Sequence, residues 1–324
     1  STMQPKLRIG NGTAYTDLLG TSTLALDTWY HLVGTVDASG NAKIYVNGKI
    51  ENTGSLGILA TATQNLRVGT RSTGNELAAI VDELKIFTYV RSPAQVAWDY
   101  NTGSPIAHWK MDEISTPSYD SSGNGLHLNW NNNVSSTTGK YNSGTAYDGV
   151  DDFLSCTDVV CGGSGNLDFL AGSNFSFGTW FKTSVSGTPK VLMGKKNTAL
   201  TAADAGYILY MVTSDVVRCV ISDGTNQDIV STANTYADNI YHHAMCVVSN
   251  NQVELYIDGK LATSTSLTAT GSLDNSSQFR TGVTGSGATD FSGSLDSATV
   301  FNYALTSTQI KMLYNQASAI RFGP

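Results

Sequence analysis

The feature that most constrains this chain is that parts of it occur twice. Trp29-Tyr30-His31-Leu32-Val33-Gly34-Thr35-Val36 matches Ile240-Tyr241-His242-His243-Ala244-Met245-Cys246-Val247, and Lys43-Ile44-Tyr45-Val46-Asn47-Gly48-Lys49 matches Glu254-Leu255-Tyr256-Ile257-Asp258-Gly259-Lys260, both at an offset of 211. At an offset of 214, Val81-Asp82-Glu83-Leu84-Lys85-Ile86-Phe87-Thr88-Tyr89 matches Leu295-Asp296-Ser297-Ala298-Thr299-Val300-Phe301-Asn302-Tyr303. The segments ending Val96…Tyr100-Asn101 and Ile310…Tyr314-Asn315 follow at that same offset. Blocks that recur in one order with a small drift indicate a duplicated unit. The expected organisation is one copy in residues 1–103 and a second in 104–324.

The two copies are unequal. The second opens near Ile106, and its counterpart in the first would fall well ahead of Ser1. Residues 1–103 therefore correspond to the C-terminal half of a domain. Either the chain is a piece of a longer protein, or another polypeptide supplies the missing strands. A half sandwich leaves a free strand edge and an open apolar face.

Both copies read as all-β. Period-2 alternation runs through Phe175-Ser176-Phe177-Gly178-Thr179-Trp180-Phe181 and Val253-Glu254-Leu255-Tyr256-Ile257. The dipeptides Asn47-Gly48, Asp223-Gly224 and Asp258-Gly259 sit between such runs, where tight hairpins need positive φ. Charged residues make up only 14% of the chain, against about 25% in an average soluble protein, and Gly, Ser, Thr and Asn take their place. One short helix closes each copy, opening at Ser92-Pro93 and at Thr306 or Ser307.

Several function classes are disfavoured. The net charge is −7 and no basic run exceeds Lys195-Lys196, which argues against nucleic acid. No apolar run approaches the ~18–20 residues that span a bilayer, so membrane insertion is not expected. The start Ser1-Thr2-Met3 reads as a processed or truncated end. The five glutamates, Glu51, Glu76, Glu83, Glu113 and Glu254, include no two close together on one strand, so the carboxylate pair of a glycosidase is missing. His242 and His243 are adjacent on a strand and face opposite sides, one to the core and one to the surface. The expectation is a protein that does not catalyse.

The second copy carries more specific marks. Ala107-His108-Trp109-Lys110-Met111-Asp112-Glu113, Asp120-Ser121-Ser122-Gly123-Asn124-Gly125, Tyr147-Asp148-Gly149-Val150-Asp151-Asp152-Phe153 and Phe291-Ser292-Gly293-Ser294-Leu295-Asp296 occur in that order. Together they resemble the laminin-G-like, concanavalin A-like lectin/glucanase family, in the version common in bacterial surface proteins. The likeness covers residues 106–317, and in residues 6–103 only the family's second half. It implies an antiparallel β-sandwich jelly roll, extracellular or cell-surface adhesion, and glycan or protein binding. It also implies a structural calcium ion, and nominates Asp112, Asp120 and Asp296 with Asn124 as helper. The ordinary alternative for each aspartate is turn capping.

All four cysteines, Cys156, Cys161, Cys219 and Cys246, fall in the second copy. Cys219 and Cys246 map onto Leu7 and Thr35 of the first. Two thiols on separate strands of one copy suggest a bond between those strands, leaving Cys156 and Cys161 to pin the 157–160 loop, as an oxidising compartment allows. Trp130 and Tyr119 are the candidate exposed aromatics for stacking on a sugar, with a loop anchor the alternative for Trp130. Three readings of function follow: an adhesion module for a glycan or protein, a subunit of a fibre built from copies of itself, or an accessory binding region of a polysaccharide-degrading enzyme. Ala319-Ile320-Arg321-Phe322 aligns with the first strand of a copy, Ile106-Ala107-His108, and would be a donated strand in the fibre or else the start of a following domain.

Overall fold

A computed structural model describes residues 3–315, apart from 11–13, 27, 58–65, 70–76, 102, 163–166, 171–172, 199–200, 250 and 287–288. The segment Ala319–Phe322 lies outside the described residues. The chain divides into two compact units, Ser1–Gly103 and Ser104–Pro324.

The first unit contains β1 (Lys6–Gly10), β2 (Tyr15–Leu19), β3 (Leu32–Val36), β4 (Asn41–Val46), β5 (Lys49–Ser55) and α1 (Pro93–Asn101). β1 pairs with β2, and β3-β4-β5 form a three-stranded sheet. Ile9, Leu18, Ala42, Ile44 and Leu56 make its small core.

The second unit begins with β6 (Ala107–Trp109), β7 (Asn129–Asn131), β8 (Ser135–Thr138), β9 (Ser143–Asp148), β10 (Phe153–Cys156) and α2 (Asp158–Cys161). It continues with β11 (Phe175–Lys182), β12 (Lys190–Lys195), β13 (Gly206–Met211), β14 (Val217–Ser222), β15 (Gln227–Ser231) and β16 (His242–Ser249). β17 (Gln252–Ile257), β18 (Lys260–Ser266), β19 (Phe279–Gly282), β20 (Ser292–Phe301) and α3 (Ser307–Tyr314) complete it. One sheet runs β15-β14-β13-β12-β19-β10-β7. The other runs β18-β17-β16-β11-β20-β9-β8, with β6 also on β20. All the pairings are antiparallel, and strands remote in sequence lie side by side, as in a jelly roll.

Apolar side chains from the inner faces fill the space between the sheets. Trp109 of β6 stacks on Phe279 of β19 at 4.9 Å, and Phe177 of β11 meets Tyr207 of β13 at 4.8 Å. The Cys219–Cys246 disulfide joins β14 in one sheet to β16 in the other. The second bond, Cys156–Cys161, spans a helical turn, α2, where a loop was expected. Asp158 at the start of that turn supports it, since a carboxylate is favoured at a helix N-terminus.

Several contacts of the first unit recur in the second. β1–β2 pair Leu7 with Leu18, and β14–β15 pair Cys219 with Val230. The β4–β5 ladder slips between Ile44 and Tyr45, and the β17–β18 ladder slips between Leu255 and Tyr256. Both hairpins turn through left-handed pairs, Asn47-Gly48 and Asp258-Gly259, and a tyrosine of the closing helix, Tyr100 or Tyr314, lies over each glycine. The helices share a cap. Ser92 and Gln95 exchange the same two bonds as Thr306 and Gln309.

The structure shifts one block of the repeat by a residue. His31 trades backbone and side-chain bonds with Asn47 as His243, not His242, does with Asp258. Gly34 opposes Ile44 as Cys246 opposes Leu255, so Gly34 rather than Thr35 is the counterpart of Cys246. The reason is steric. Leu7 fills the place of Cys219, and a Cβ on Gly34 would lie 2.8 Å from its Cδ1.

Where β20 crosses the second unit, residues 77–90 of the first form no strand and are exposed throughout. Ile86 is 70% exposed, and its counterpart Val300 is 0%.

The paired variant Leu7→Cys/Gly34→Cys should therefore form a disulfide in the first unit. It would close a loop as long as that between Cys219 and Cys246, 27 residues apart, and add about 3–4 kcal/mol by restricting the unfolded chain. Thermal melts with and without reductant, beside a free-thiol count, measure it; two free thiols in the unreduced variant, where the parent has none, would contradict it.

Candidate functional site

The ends of β12, β13 and β19 come together, and buried charge fixes the loops between them. Lys195, the last residue of β12, is buried and pairs with Asp158 at 2.8 Å and Asp168 at 2.5 Å. Its ammonium also donates to the carbonyl oxygen of Asn275. The Asn275 amide in turn donates to the carbonyls of Lys195 and Ala205, both at 3.1 Å, and of Leu273 at 3.2 Å. One asparagine thus ties the loop ahead of β19 to the end of β12 and the start of β13.

Between these loops opens a cleft of about 630 Å³, lined among others by Asn197, Asp204, Ser276, Gln278 and Arg280. Ligand pockets commonly measure ~300–1,000 Å³. Thr281 turns inward to hydrogen-bond Tyr147 at 2.7 Å, so Arg280 faces outward. Its guanidinium lies over the Phe153 ring at 4.6 Å. Nε donates to Gln278 Oε1 at 3.0 Å, and Nη1 to the carbonyls of Thr284 at 3.0 Å and Gly285 at 3.3 Å. Burial pulls its pKa down. Opposite, Asp204 accepts the hydroxyls of Thr198 and Thr201, which hold its pKa low. Lys196 is buried beneath, donating to the carbonyls of Thr201, at 3.0 Å, and Asp204. Burial draws its pKa to about 8.

The residues nominated for calcium lie in two sets. Asp120 is turned onto its own loop. It accepts from the His108 amide at 3.0 Å, the Ser122 amide at 2.9 Å, the Ser122 hydroxyl at 2.8 Å and the Leu126 amide at 3.1 Å. Asn124 donates to the Ile106 carbonyl at 2.8 Å. Asp112 and Asp296 instead flank the 141–143 segment. Asp112 accepts the Ser143 amide at 3.1 Å, and Asp296 Oδ2 accepts the Tyr141 amide at 2.8 Å. Asp296 is 0% exposed and its Oδ1 has no partner. Burial, with a smaller contribution from Asp112, lifts its pKa to about 6. A second cleft, of about 210 Å³, is bordered here by Asp112, Asn142 and Ser297.

The aromatic candidates differ from each other. Tyr119 is 56% exposed, edge-on to His127. Trp130 was expected to be exposed and is half-buried. Its ring packs on the core and its Nε1 donates to Ser118 Oγ at 2.8 Å, so it anchors the loop. Of the histidine pair, His243 is buried, which lowers its pKa to about 4. His242 was expected at the surface, but its side chain is mostly covered, 2.7 Å from Asp258 and 3.2 Å from Asp238. Burial opposes its protonation, and the two carboxylates outweigh it and raise its pKa.

Sequence reasoning missed the larger cleft and also the grouping of Asp148, Asp151 and Asp152. The latter is an acidic turn. Asp152 accepts the amides of Asn133 at 2.7 Å and Asp148 at 2.9 Å.

Solved structures with the same fold include the binding domain of paraclostridial mosquitocidal protein 1, 17% identical, covering 66% of this chain and 52% of that one with a TM-score of 0.53. The binding domain of botulinum neurotoxin serotype G is similar at 15% identity, with 67% and 52% covered and a TM-score of 0.53. That of neurotoxin DC, solved in complex with rat synaptotagmin II, shows 13% identity, 66% and 52% coverage and a TM-score of 0.50. The chain spans about half the length of these toxin domains. No curated protein sequence matches it. Residues 1–97 and 148–311 match the laminin-G family profile, and the chain belongs to that family of the concanavalin A-like lectin/glucanases superfamily.

Proposed function

We propose that this chain is a non-catalytic extracellular binding protein that holds a glycan in the cleft at the ends of β12, β13 and β19. The observation that carries the reading is the lining of that cleft. Asn197, Ser276, Gln278, Arg280 and Asp204 offer donors and acceptors from loops held by Asn275 and Lys195. Sugar hydroxyls need paired donors and acceptors, and fixed ones bind without the entropic cost of ordering. Two disulfides support an oxidising, extracellular setting. Among the described residues no helix is long and apolar enough to cross a membrane. Affinity electrophoresis through gels containing a panel of plant, bacterial and animal polysaccharides tests the reading. Retardation in at least one gel is expected, and Asn197→Ala should reduce it severalfold. Unretarded migration in every gel would overturn it.

A calcium ion is proposed at Asp112 and Asp296. The buried, unpartnered Asp296 Oδ1 supports it, because hard cations take such carboxylate oxygens together with backbone carbonyls. Asp120 and Asn124 serve the loop instead. Calcium at 100 times its Kd would stabilise the folded state by about 2.7 kcal/mol. Melting in calcium and in chelator, for the parent and Asp296→Asn, reads this out. Equal melting temperatures for the parent in both buffers would remove the ion from the proposal.

A second reading is a fibre or surface filament, assembled by strand complementation between tandem laminin-G-like copies, the first being a half domain. The exposed stretch 77–90 supports it, with an edge of β3 that is unpaired among the described residues beside a small core. In the second unit β16 has β11 on the side where β3 of the first unit has no neighbour among the described residues. Light scattering against concentration separates the two readings. Growing particles favour the filament, and a constant mass excludes it.

A further inference from the structure

We propose that the cleft in the second unit recognises an acidic sugar, its carboxylate on the guanidinium of Arg280 and its hydroxyls turned toward Asp204. This deepens the glycan reading above and rests on it.

The argument begins with charges that lack a counter-charge. Arg8 is matched by Asp17 at 2.5 Å and Arg91 by Asp99 at 2.6 Å. Arg280 meets only neutral acceptors among the described residues: the Gln278 amide oxygen and the carbonyls of Thr284 and Gly285. Those three bonds use Nε and Nη1, and among the described residues Nη2 has no acceptor. The group is also partly desolvated, with one face against Phe153. A guanidinium removed from water without an anion is costly, and a carboxylate supplies both the missing charge and the missing acceptor.

The rest of the cleft sets the shape of such a ligand. Gln278 holds the guanidinium through Nε, so Nη2 has a fixed direction and is already ordered before a ligand arrives. Lys196, beneath the Asp204 side, adds positive potential without offering its own ammonium to solvent, since that atom is committed to two carbonyls. Asp204 is the opposite pole. Threonine hydroxyls satisfy one of its oxygens and keep it ionised, an acceptor suited to hydroxyl donors and hostile to a second carboxylate. A molecule that fits both poles carries a carboxylate at one end and hydroxyls at the other. A uronic acid residue has that form, as does a sialic acid residue. A neutral sugar would leave the cation unpaired, and a densely sulfated chain would set negative charge against Asp204.

Titration calorimetry with matched pairs tests this: oligogalacturonate against its methyl ester, and sialyllactose against lactose. The first pair reports a uronate and the second a sialate. The protein should bind the acid of at least one pair ~10–100-fold more tightly than the neutral partner, the range of a charge-assisted hydrogen bond. Raising the salt concentration should narrow the gap, and Arg280→Gln should close it. Arg280→Lys, which keeps the charge but not the fork, should retain part of it. Equal affinity for acid and neutral partner in both pairs overturns the inference, even where both bind and the glycan reading stands. Tighter binding of a sulfated oligosaccharide than of either acid also overturns it. The comparison of acid with neutral ligand uses the parent protein, so it does not depend on how well the variants fold.

Discussion

A sheet with one apolar face must have that face covered, and the rest of the molecule depends on how this is met. In the second unit the cover is another sheet. Trp109 on Phe279, Phe177 on Tyr207, the Tyr147–Thr281 hydrogen bond and the Cys219–Cys246 disulfide each reach from one sheet to the other. A buried aromatic of this kind is worth about 3–5 kcal/mol when truncated to alanine. In the first unit the same hairpins and helix are present with fewer strands to meet them. Leu7 over Gly34 takes the place of the disulfide, and Ile86 stays in solvent where Val300 is enclosed.

The cleft inherits its rigidity from that packing. Its walls are loops, but they hang from β12, β13 and β19, neighbouring strands of the seven-stranded sheet. Lys195 is a buried cation shared by Asp158 and Asp168. Such an ion pair adds little net stability compared with apolar packing, yet removing one member strands the others at a cost of about 3–5 kcal/mol. Its effect here is positional. Through the Asn275 carbonyl it fixes the turn that presents Ser276 and Gln278, and it also anchors α2, which the Cys156–Cys161 bond closes.

Local features were legible in the sequence because their causes are local. Asn47-Gly48 and Asp258-Gly259 demand left-handed turns, Ser92 and Thr306 demand helix starts, and the alternation of β17 demands a half-buried strand. The jelly-roll class followed from motifs spread along the second unit. Pairing of Cys219 with Cys246 was legible because both lie on strands of one copy. Registers were less so. The match of Thr35 with Cys246 erred by one residue because the turn between β3 and β4 is one residue longer than that between β16 and β17, and only the ladder to β4 shows that Gly34 holds the place. Trp130 looked exposed among asparagines, yet a strand three residues long brings its indole to Ser118. The cleft was not legible at all. It joins 197–205 to 275–285, and nothing in either stretch announces that the fold will bring them together.

What separates the chemical groups of this protein is how completely they are satisfied at home. Asp120, Asp152, Asp223 and Asp228 all accept backbone amides of nearby loops, and Asp223 is held well below the usual carboxylate range by those bonds. A carboxylate saturated in this way has little left for a ligand. Its negative charge serves the turn. Asp296 keeps one oxygen buried and unpartnered, and the half-buried Arg280 meets only neutral acceptors among the described residues. Leaving a buried polar group unmet costs about 1–3 kcal/mol, more when it is charged. The Asp296 oxygen is suited to a cation, and the Arg280 guanidinium, which meets no carboxylate among the described residues, is suited to an anion. The larger cleft lies at the second of them, and so an acidic ligand answers the structure better than a neutral one.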